Sequence, residues 1–265
     1  MSEKNYTEIT SLNNELVKDI VKLHQKKYRK ESGLLILEGE KSILGALEDN
    51  ITLKCVLSPD VLMFNKIACS DDVKFCKVND KVMEKISSTK SPANILALAY
   101  APKYTLEDTL KKKRLVLLDS IKDSGNLGTI IRSACAFKME GILLFGECAD
   151  EFSSKVIRSS AGNIFKIPLI HMDMDKRALS ELKKTHKIIS TVAPFGQWGK
   201  DALKCDEITY PESFVLALGS EASGLCDEIL KISDIYTTLN MENNVESLNI
   251  AVFAGIIFYI INSKK

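Results

Sequence analysis

Residues Ile250–Ile261, Ile-Ala-Val-Phe-Ala-Gly-Ile-Ile-Phe-Tyr-Ile-Ile, form an almost unbroken apolar run, and no other feature constrains the fold as tightly. A run of about a dozen residues is too short to cross a bilayer and has the length of a buried core helix. It is entered directly from a polar cluster, Leu239-Asn240-Met241-Glu242-Asn243-Asn244-Val245-Glu246-Ser247-Leu248-Asn249. Glu246, Ser247 and Asn249 therefore fall at the mouth or first turn of the helix, where backbone N–H groups lack partners. Such donors suit an anion or a ligand carboxylate. An ordinary cap, with Ser or Asn satisfying the helix, accounts for the same residues.

The segments before this run alternate between apolar strands and amphipathic helices, which makes the chain α/β. Thr10 to Lys30 reads as one helix, with Leu16, Ile20 and Leu23 on a face. Strands follow at Leu34–Leu37, Leu53–Leu57, Val73–Val78 and Ile95–Tyr100, with helices after Glu40, around Val61–Ile67 and over Asn79–Ser87. Ala101–Lys113, with Pro102 and a Lys-rich end, reads as a linker, so residues 1–104 and 105–265 are expected to be separate domains. The second series runs through strands at Arg114–Leu118, Ile142–Phe145, Lys187–Val192, Ser213–Leu218 and Ile235–Leu239. Its helices are Leu127–Lys138, Lys176–Lys184 and Cys226–Ile232, and the closing helix begins near Ser247.

The net charge of +1 conceals an asymmetry. Residues 1–114 hold 20 Lys and Arg against 16 Asp and Glu, and residues 115–265 hold 16 against 19. Lys18, Lys22, Lys26, Lys27, Arg29 and Lys30 form a dense basic run opposed only by Asp19. That run suits phosphate contacts, and equally a solvated helix face. Seven scattered cysteines, odd in number and never Cys-x-x-Cys, fit a reducing compartment and no zinc site. With a polar N-terminus that carries no apolar leader, they point to a cytoplasmic protein, without metal or membrane span.

Ligands of α/β folds bind outside the carboxyl ends of strands. One such loop is Asp119-Ser120-Ile121-Lys122-Asp123-Ser124-Gly125-Asn126-Leu127-Gly128, in which Asn126 is placed to cap the following helix. Arg132 on that helix sits between apolar sequence neighbours, which calls for a partner or a catalytic task. A second loop, Gly219-Ser220-Glu221-Ala222-Ser223-Gly224-Leu225, holds a carboxylate between two glycines. The third is the polar cluster before the closing helix. No Gly-x-Gly fingerprint or Walker A loop occurs, which argues against nicotinamide and phosphate-loop enzymes.

In order, Asp123–Arg132, Leu218–Leu225 and Val245–Asn249 resemble the three motifs of the SpoU family. Members of that family are S-adenosylmethionine-dependent RNA 2′-O-ribose methyltransferases of the SPOUT superfamily. Arg158–Pro168 is similar to a further family segment, and Ile9–Lys41 resembles the small ribosomal-protein-like α/β substrate-binding extension. The resemblance implies a methyltransferase domain closed by a deep trefoil knot, a homodimer through that domain, and a ribosomal RNA substrate. Transfer RNA as substrate, and a catalytically idle RNA-binding factor, are the alternatives. One departure is Ser124, where the family usually has Pro; a looser loop with activity retained is expected.

The resemblance also implies roles. Backbone around Gly219, Leu239 and Leu248, with the chain at Thr191, cradles the cofactor. Arg132 contacts the target ribose or phosphate and is the family's proposed base. Asn126 holds the reacting group, Glu221 orients Arg132 or its loop, and Ser247 and Asn249 close the pocket. A guanidinium normally keeps its proton, which runs against a base role. Electrostatic positioning by Arg132, with the proton leaving through phosphate or water, is the alternative.

Overall fold

Most of the apolar strand segments become middle strands of two sheets. The computed structural model describes residues 4–172, 176–194, 197–241 and 247–264. Val245 and Glu246 of the third motif lie outside the described residues. The chain divides into two compact units. The first comprises residues 1–103 with 152–165, and the second residues 104–151 with 166–265.

The first unit contains β1 (Tyr6–Ile9), α1 (Glu15–Lys22), α2 (Lys26–Ser32), β2 (Leu34–Glu38), α3 (Glu40–Glu48), β3 (Leu53–Ser58), β4 (Lys74–Val78), α4 (Asp80–Ile86) and β5 (Leu96–Tyr100). Its sheet runs β1-β4-β3-β5-β2, with β1, β4 and β3 parallel and β5 antiparallel to both β3 and β2. Val17 and Ile20 of α1 and Val82 and Ile86 of α4 join Ile36, Leu57 and Leu98 in one core. The single helix expected from Thr10 to Lys30 is two, separated at Leu23-His24-Gln25. Side chains hold the break: the Arg29 guanidinium donates to the Leu23 carbonyl, and the His24 ring is 3.0 Å from the Ile86 carbonyl. The helix expected around Val61–Ile67 is a 3₁₀ turn over Val61–Lys66, capped by Asp60.

Segment 152–165 carries a short helix, α7 (Ser154–Ser159), and belongs to the first unit although it follows part of the second in sequence. A buried carboxylate receives it. The Glu38 side chain, 3% exposed, accepts hydrogen bonds from Ser87 Oγ and the Ser88 N–H, and Arg158 Nη1 lies 3.6 Å away. Arg158 also donates to Ser88 Oγ. Nearby, Gly162 has φ of +82° and passes so close to Gly45 that a Cβ there would sit 3.3 Å from the Gly162 Cα.

The second unit contains α5 (Leu106–Leu110), β6 (Arg114–Asp119), α6 (Ser124–Ala136), β7 (Gly141–Phe145), β8 (Leu169–Met172), α8 (Lys176–Thr185), β9 (Lys187–Thr191), β10 (Leu203–Lys204), β11 (Phe214–Gly219), α9 (Asp227–Ile232), β12 (Ile235–Thr238) and α10 (Ile250–Ser263). All its strands are parallel, in the order β10-β12-β9-β11-β6-β7-β8. Strands β7 and β11 are buried along their whole length, as covering on both faces requires. The expected linker holds helix α5, capped by Thr105 and anchored through buried Thr109. Helix α10 packs against α6 and buries Ala251, Ala254 and Phe258, but Val252, Ile256 and Tyr259 are 53%, 38% and 59% exposed. Among the described residues, no helix is long and apolar enough to cross a membrane.

Glu38→Ala would strand the Ser88 N–H and the Arg158 guanidinium at once. We expect a loss of roughly 1–3 kcal/mol, read as a lower urea midpoint at unchanged m-value.

Candidate active site

Strand order decides where the loops meet. Strand β11 lies between β6 and β9, and β12 pairs with β9 on the far side. In register, Gly219 stands opposite Asp119, Ala217 opposite Ser190, and Thr191 opposite Thr237. The carboxyl ends of β12, β9, β11 and β6 therefore lie side by side, and the loops that follow them share one rim.

The β6 loop turns into α6 at a cap. Asp123 Oδ1 accepts the N–H of Asn126 at 2.8 Å, so Asp123 is the N-cap and α6 starts at Ser124. Sequence reading assigned the cap to Asn126; in the structure Asn126 is in the first turn, with its side chain free for other work. Ser124 occupies N1, the position where Pro is favoured because its missing N–H costs nothing there. Ser fits the site and gives up only the fixed φ. Ser120, at φ of +57°, is held by its Oγ donating to buried Asp119, whose other oxygen accepts the N–H of Cys226. Asp119 thereby ties the β6 loop to the β11 loop.

The β11 loop folds back on itself through an isolated bridge between Ser220 and Gly224. A Cβ on Gly219 would lie 2.1 Å from the Gly224 carbonyl carbon and 2.3 Å from the Leu225 nitrogen. Gly219 is thus required by its own loop's closure.

Glu221, at the tip of this loop, joins it to α10. Its Oε1 accepts the Ile250 N–H at 2.7 Å and Asn249 Nδ2 at 3.0 Å. Asn249 caps α10 with its Oδ1, which accepts from Ala251 N and Val252 N, while its Nδ2 also reaches Asn126 Oδ1 at 3.0 Å. Asn126, Glu221 and Asn249, far apart in sequence, are hydrogen-bonded together. Their cluster stands between two cavities that share Ser220–Ser223 and Ile250. One, of about 420 Å³, is lined by Thr191, Gly219, Thr238, Met241, Ser247 and Leu248, among others. The other, of about 680 Å³, is lined by Ser120, Lys122, Asp123, Asn126 and Glu147.

Of the residues the resemblance assigns to the cofactor, Thr191, Gly219 and Leu248 line the smaller cavity. Leu239 is buried beside its wall, between the lining residues Thr238 and Met241. Thr191 Oγ1 donates to the Ala217 carbonyl, which fixes its rotamer. Arg132 lines neither cavity, and the expectation that it lies on an apolar face is not met: it is exposed and forms no ion pair with another described residue. The buried stripe of α6 is Leu127, Gly128, Ile130, Ile131 and Ala134, and one residue's step of about 100° turns Arg132 away from it. Sequence neighbours misled because they are not neighbours on the helix. Lys18, Lys22, Lys26, Lys27 and Lys30 are exposed, Lys22 paired with Asp19 and Lys27 with Glu31; Arg29 is buried and serves the α1–α2 turn.

Lys122, Thr238 and Met241 escaped sequence reading as lining residues; their positions at or just after strand ends were the available signal. The Lys122–Glu147 pair, at 2.8 Å, raises the lysine pKa and lowers the glutamate's, mainly through the hydrogen bond they share. Burial pushes Cys226 up to about 11 and raises Cys148 as well, so both thiols stay protonated near neutrality. Among the described residues no three His, Cys, Asp or Glu side chains converge as a metal site.

The model of the SpoU rRNA methylase family matches residues 113–259, the stretch that carries this whole arrangement. The chain belongs to the SpoU family. A model of the MRM3-like substrate-binding domain matches residues 14–97. The 23S rRNA (guanosine(2553)-2′-O)-methyltransferase RlmP of Bacillus subtilis is 29% identical over 252 residues, covering 95% of this chain and 98% of that protein. An uncharacterized tRNA/rRNA methyltransferase of Synechocystis is 31% identical over 95% of this chain and 92% of its own length. The crystal structure of an AdoMet-bound rRNA methyltransferase from Sinorhizobium meliloti superposes with a TM-score of 0.85 at 28% identity, covering 97% of this chain and 98% of that one.

Gly219→Ala should therefore act on stability first. The added methyl meets backbone that cannot yield without reopening the loop, and about 1–3 kcal/mol of destabilisation is expected, measurable by chemical denaturation without any ligand.

Proposed function

We infer that this chain transfers a methyl group from S-adenosylmethionine to a ribose 2′-hydroxyl of ribosomal RNA. The observation that carries the reading is the Asn126–Asn249–Glu221 cluster, which stands where two cavities meet. The smaller cavity suits the cofactor. Its lining mixes apolar side chains with the hydroxyl residues Thr191, Ser220, Ser223, Thr238 and Ser247, and Glu221 is its only charged residue among those described. S-adenosylmethionine supplies an electrophilic methyl on a sulfonium, and a single carboxylate at the wall suits that positive charge. The larger cavity, with Asn126 on its rim, takes the acceptor.

Within the cluster the roles differ. Glu221 has one oxygen committed to two N–H donors, so it anchors the start of α10 to the β11 loop. Asn249 caps the helix and fixes the Asn126 amide by donating to its oxygen. The Asn126 Nδ2 is left as the donor available to the acceptor cavity, where it positions an oxygen. Ser247, exposed on the smaller cavity, adds a hydroxyl beside the cofactor. Arg132 acts from solvent as a fixed cation on the RNA, which suits electrostatic positioning better than proton abstraction. A knotted passage of the C-terminal segment belongs to the same reading. Its support is that Ser247, Leu248 and Ile250 line the smaller cavity together with the β9 and β11 loops.

RNA recognition by the first unit rests on the exposed lysines Lys18, Lys22, Lys26, Lys27 and Lys30 and on its substrate-binding family match. A cytoplasmic place of action is supported by seven free cysteines. A homodimer through α10 is supported by the exposed apolar face Val252, Ile256 and Tyr259, spaced as one helix face.

Asn126→Ala should leave S-adenosylmethionine affinity unchanged in calorimetry and slow methylation of 23S rRNA transcripts on the order of 100-fold. Arg132→Ala, at an exposed position, should shift stability by no more than about 0.5 kcal/mol while transfer is lost. Wild-type turnover in either variant would sink its assigned role. Tyr259→Glu should convert the dimer to monomer in sedimentation at micromolar concentration; a monomeric, active wild type would rule the dimer out.

A further inference from the structure

The far end of the second sheet carries a cavity that the methyl-transfer reading does not use. Arg114 and Phe214 are the first residues of β6 and β11 and stand opposite one another in register. With Thr209, Tyr210, Pro211 and Lys264 they line a space of about 440 Å³. Arg114 Nη1 is a buried atom with no hydrogen-bond partner. A guanidinium donor shut away from water and unpartnered is costly, so the site holds an unmet demand for an acceptor.

No carboxylate meets that demand among the described residues. Glu140 lies at this strand end, but its Oε2 accepts the backbone N–H groups of Lys113 and Arg114. Glu212 pairs with Lys113. Asp206 offers Lys264 only its backbone carbonyl, and the Ile208 carbonyl accepts from Lys264 Nζ at 2.9 Å. The Tyr210 hydroxyl donates to the Cys205 carbonyl, and burial raises its pKa, so that wall carries no phenolate. Two cations, one with a buried unsatisfied donor, thus share a cavity that none of its described lining residues neutralises.

We propose that the cavity between Arg114 and Lys264 is a phosphate-binding site, separate from the methyl-transfer cavities at the other end of the strands. Arg114 presents a planar donor fork matched to phosphate oxygens, and Lys264 adds a point charge at the open side. The phosphate is either a free ion or a phosphodiester of the RNA. The RNA alternative rests on the proposed function; the free-ion alternative does not.

Phosphorus NMR of inorganic phosphate titrated with protein tests the ion, and binding of a 23S rRNA transcript over a salt series tests the RNA-borne group. Saturable line broadening with the wild type should disappear in the double variant Arg114→Gln, Lys264→Gln and persist in Arg114→Lys. If the phosphate belongs to RNA, the double variant should also bind the transcript about tenfold more weakly, with a salt slope shallower by about one per cation removed. Lost phosphate binding with unchanged RNA affinity would identify a free ion. Equal line widths and equal RNA affinity in wild type and variant would overturn the site. Should the double variant not fold, Lys264→Gln alone, at an exposed position, carries the same readouts. Calorimetry with S-adenosylmethionine on the same proteins keeps a failure of the methyltransferase reading distinguishable from a failure here.

Discussion

Parallel pairing of β11 with β6 on one side and β9 on the other is the constraint on which the site depends. Buried parallel strands are dominated by apolar residues, which leaves little room for polar chemistry within the sheet. Polar groups are displaced to the strand ends, and the register then decides which ends coincide. Because Gly219 stands opposite Asp119 and β12 follows β9, loops from distant parts of the sequence form one rim. Asp119 and Glu221 then fasten those loops to one another and to α10 through backbone N–H groups. Backbone acceptance of this kind depends on the carboxylate and not on the neighbouring side chains, so the frame tolerates variation around it.

The α/β class, most strand positions and the three rim loops were legible because buried strands and glycine-bearing turns leave strong local signals. Strand β1, with only one apolar residue facing inward, and the two-residue β10 leave almost none. The α1–α2 break was hidden because its cause is tertiary: Arg29 and His24 bond to carbonyls only once the helices are packed. At the site, the residue types were legible and their pairing was not. Nothing in sequence indicates that Asn249 meets both Asn126 and Glu221, since that depends on strand order. Arg132 is the instructive failure, a cation between apolar sequence neighbours that faces solvent.

That exposure separates charges that act over distance through water from groups that act by direct contact. Arg132 and the exposed lysines of the first unit act through water, where salt screens them. The Asn126–Asn249–Glu221 cluster works through direct hydrogen bonds of 3.0 Å between its side chains. Arg114 lies between these limits, a cation with one donor buried and a neighbouring cavity.

The placement of segment 152–165 with the first unit has a consequence for synthesis. A chain emerging from the ribosome presents β1 to β5 early, but the cation that meets the Glu38 carboxylate arrives only with Arg158. Until then the Glu38 carboxylate has hydrogen bonds from Ser87 and Ser88 but no cation, and β2 lacks its contacts with α7. Strands β6 and β7 are made before α7, so the second unit has begun to form before the first is complete. The two units therefore cannot mature strictly one after the other, and premature termination before Phe165 leaves both unfinished.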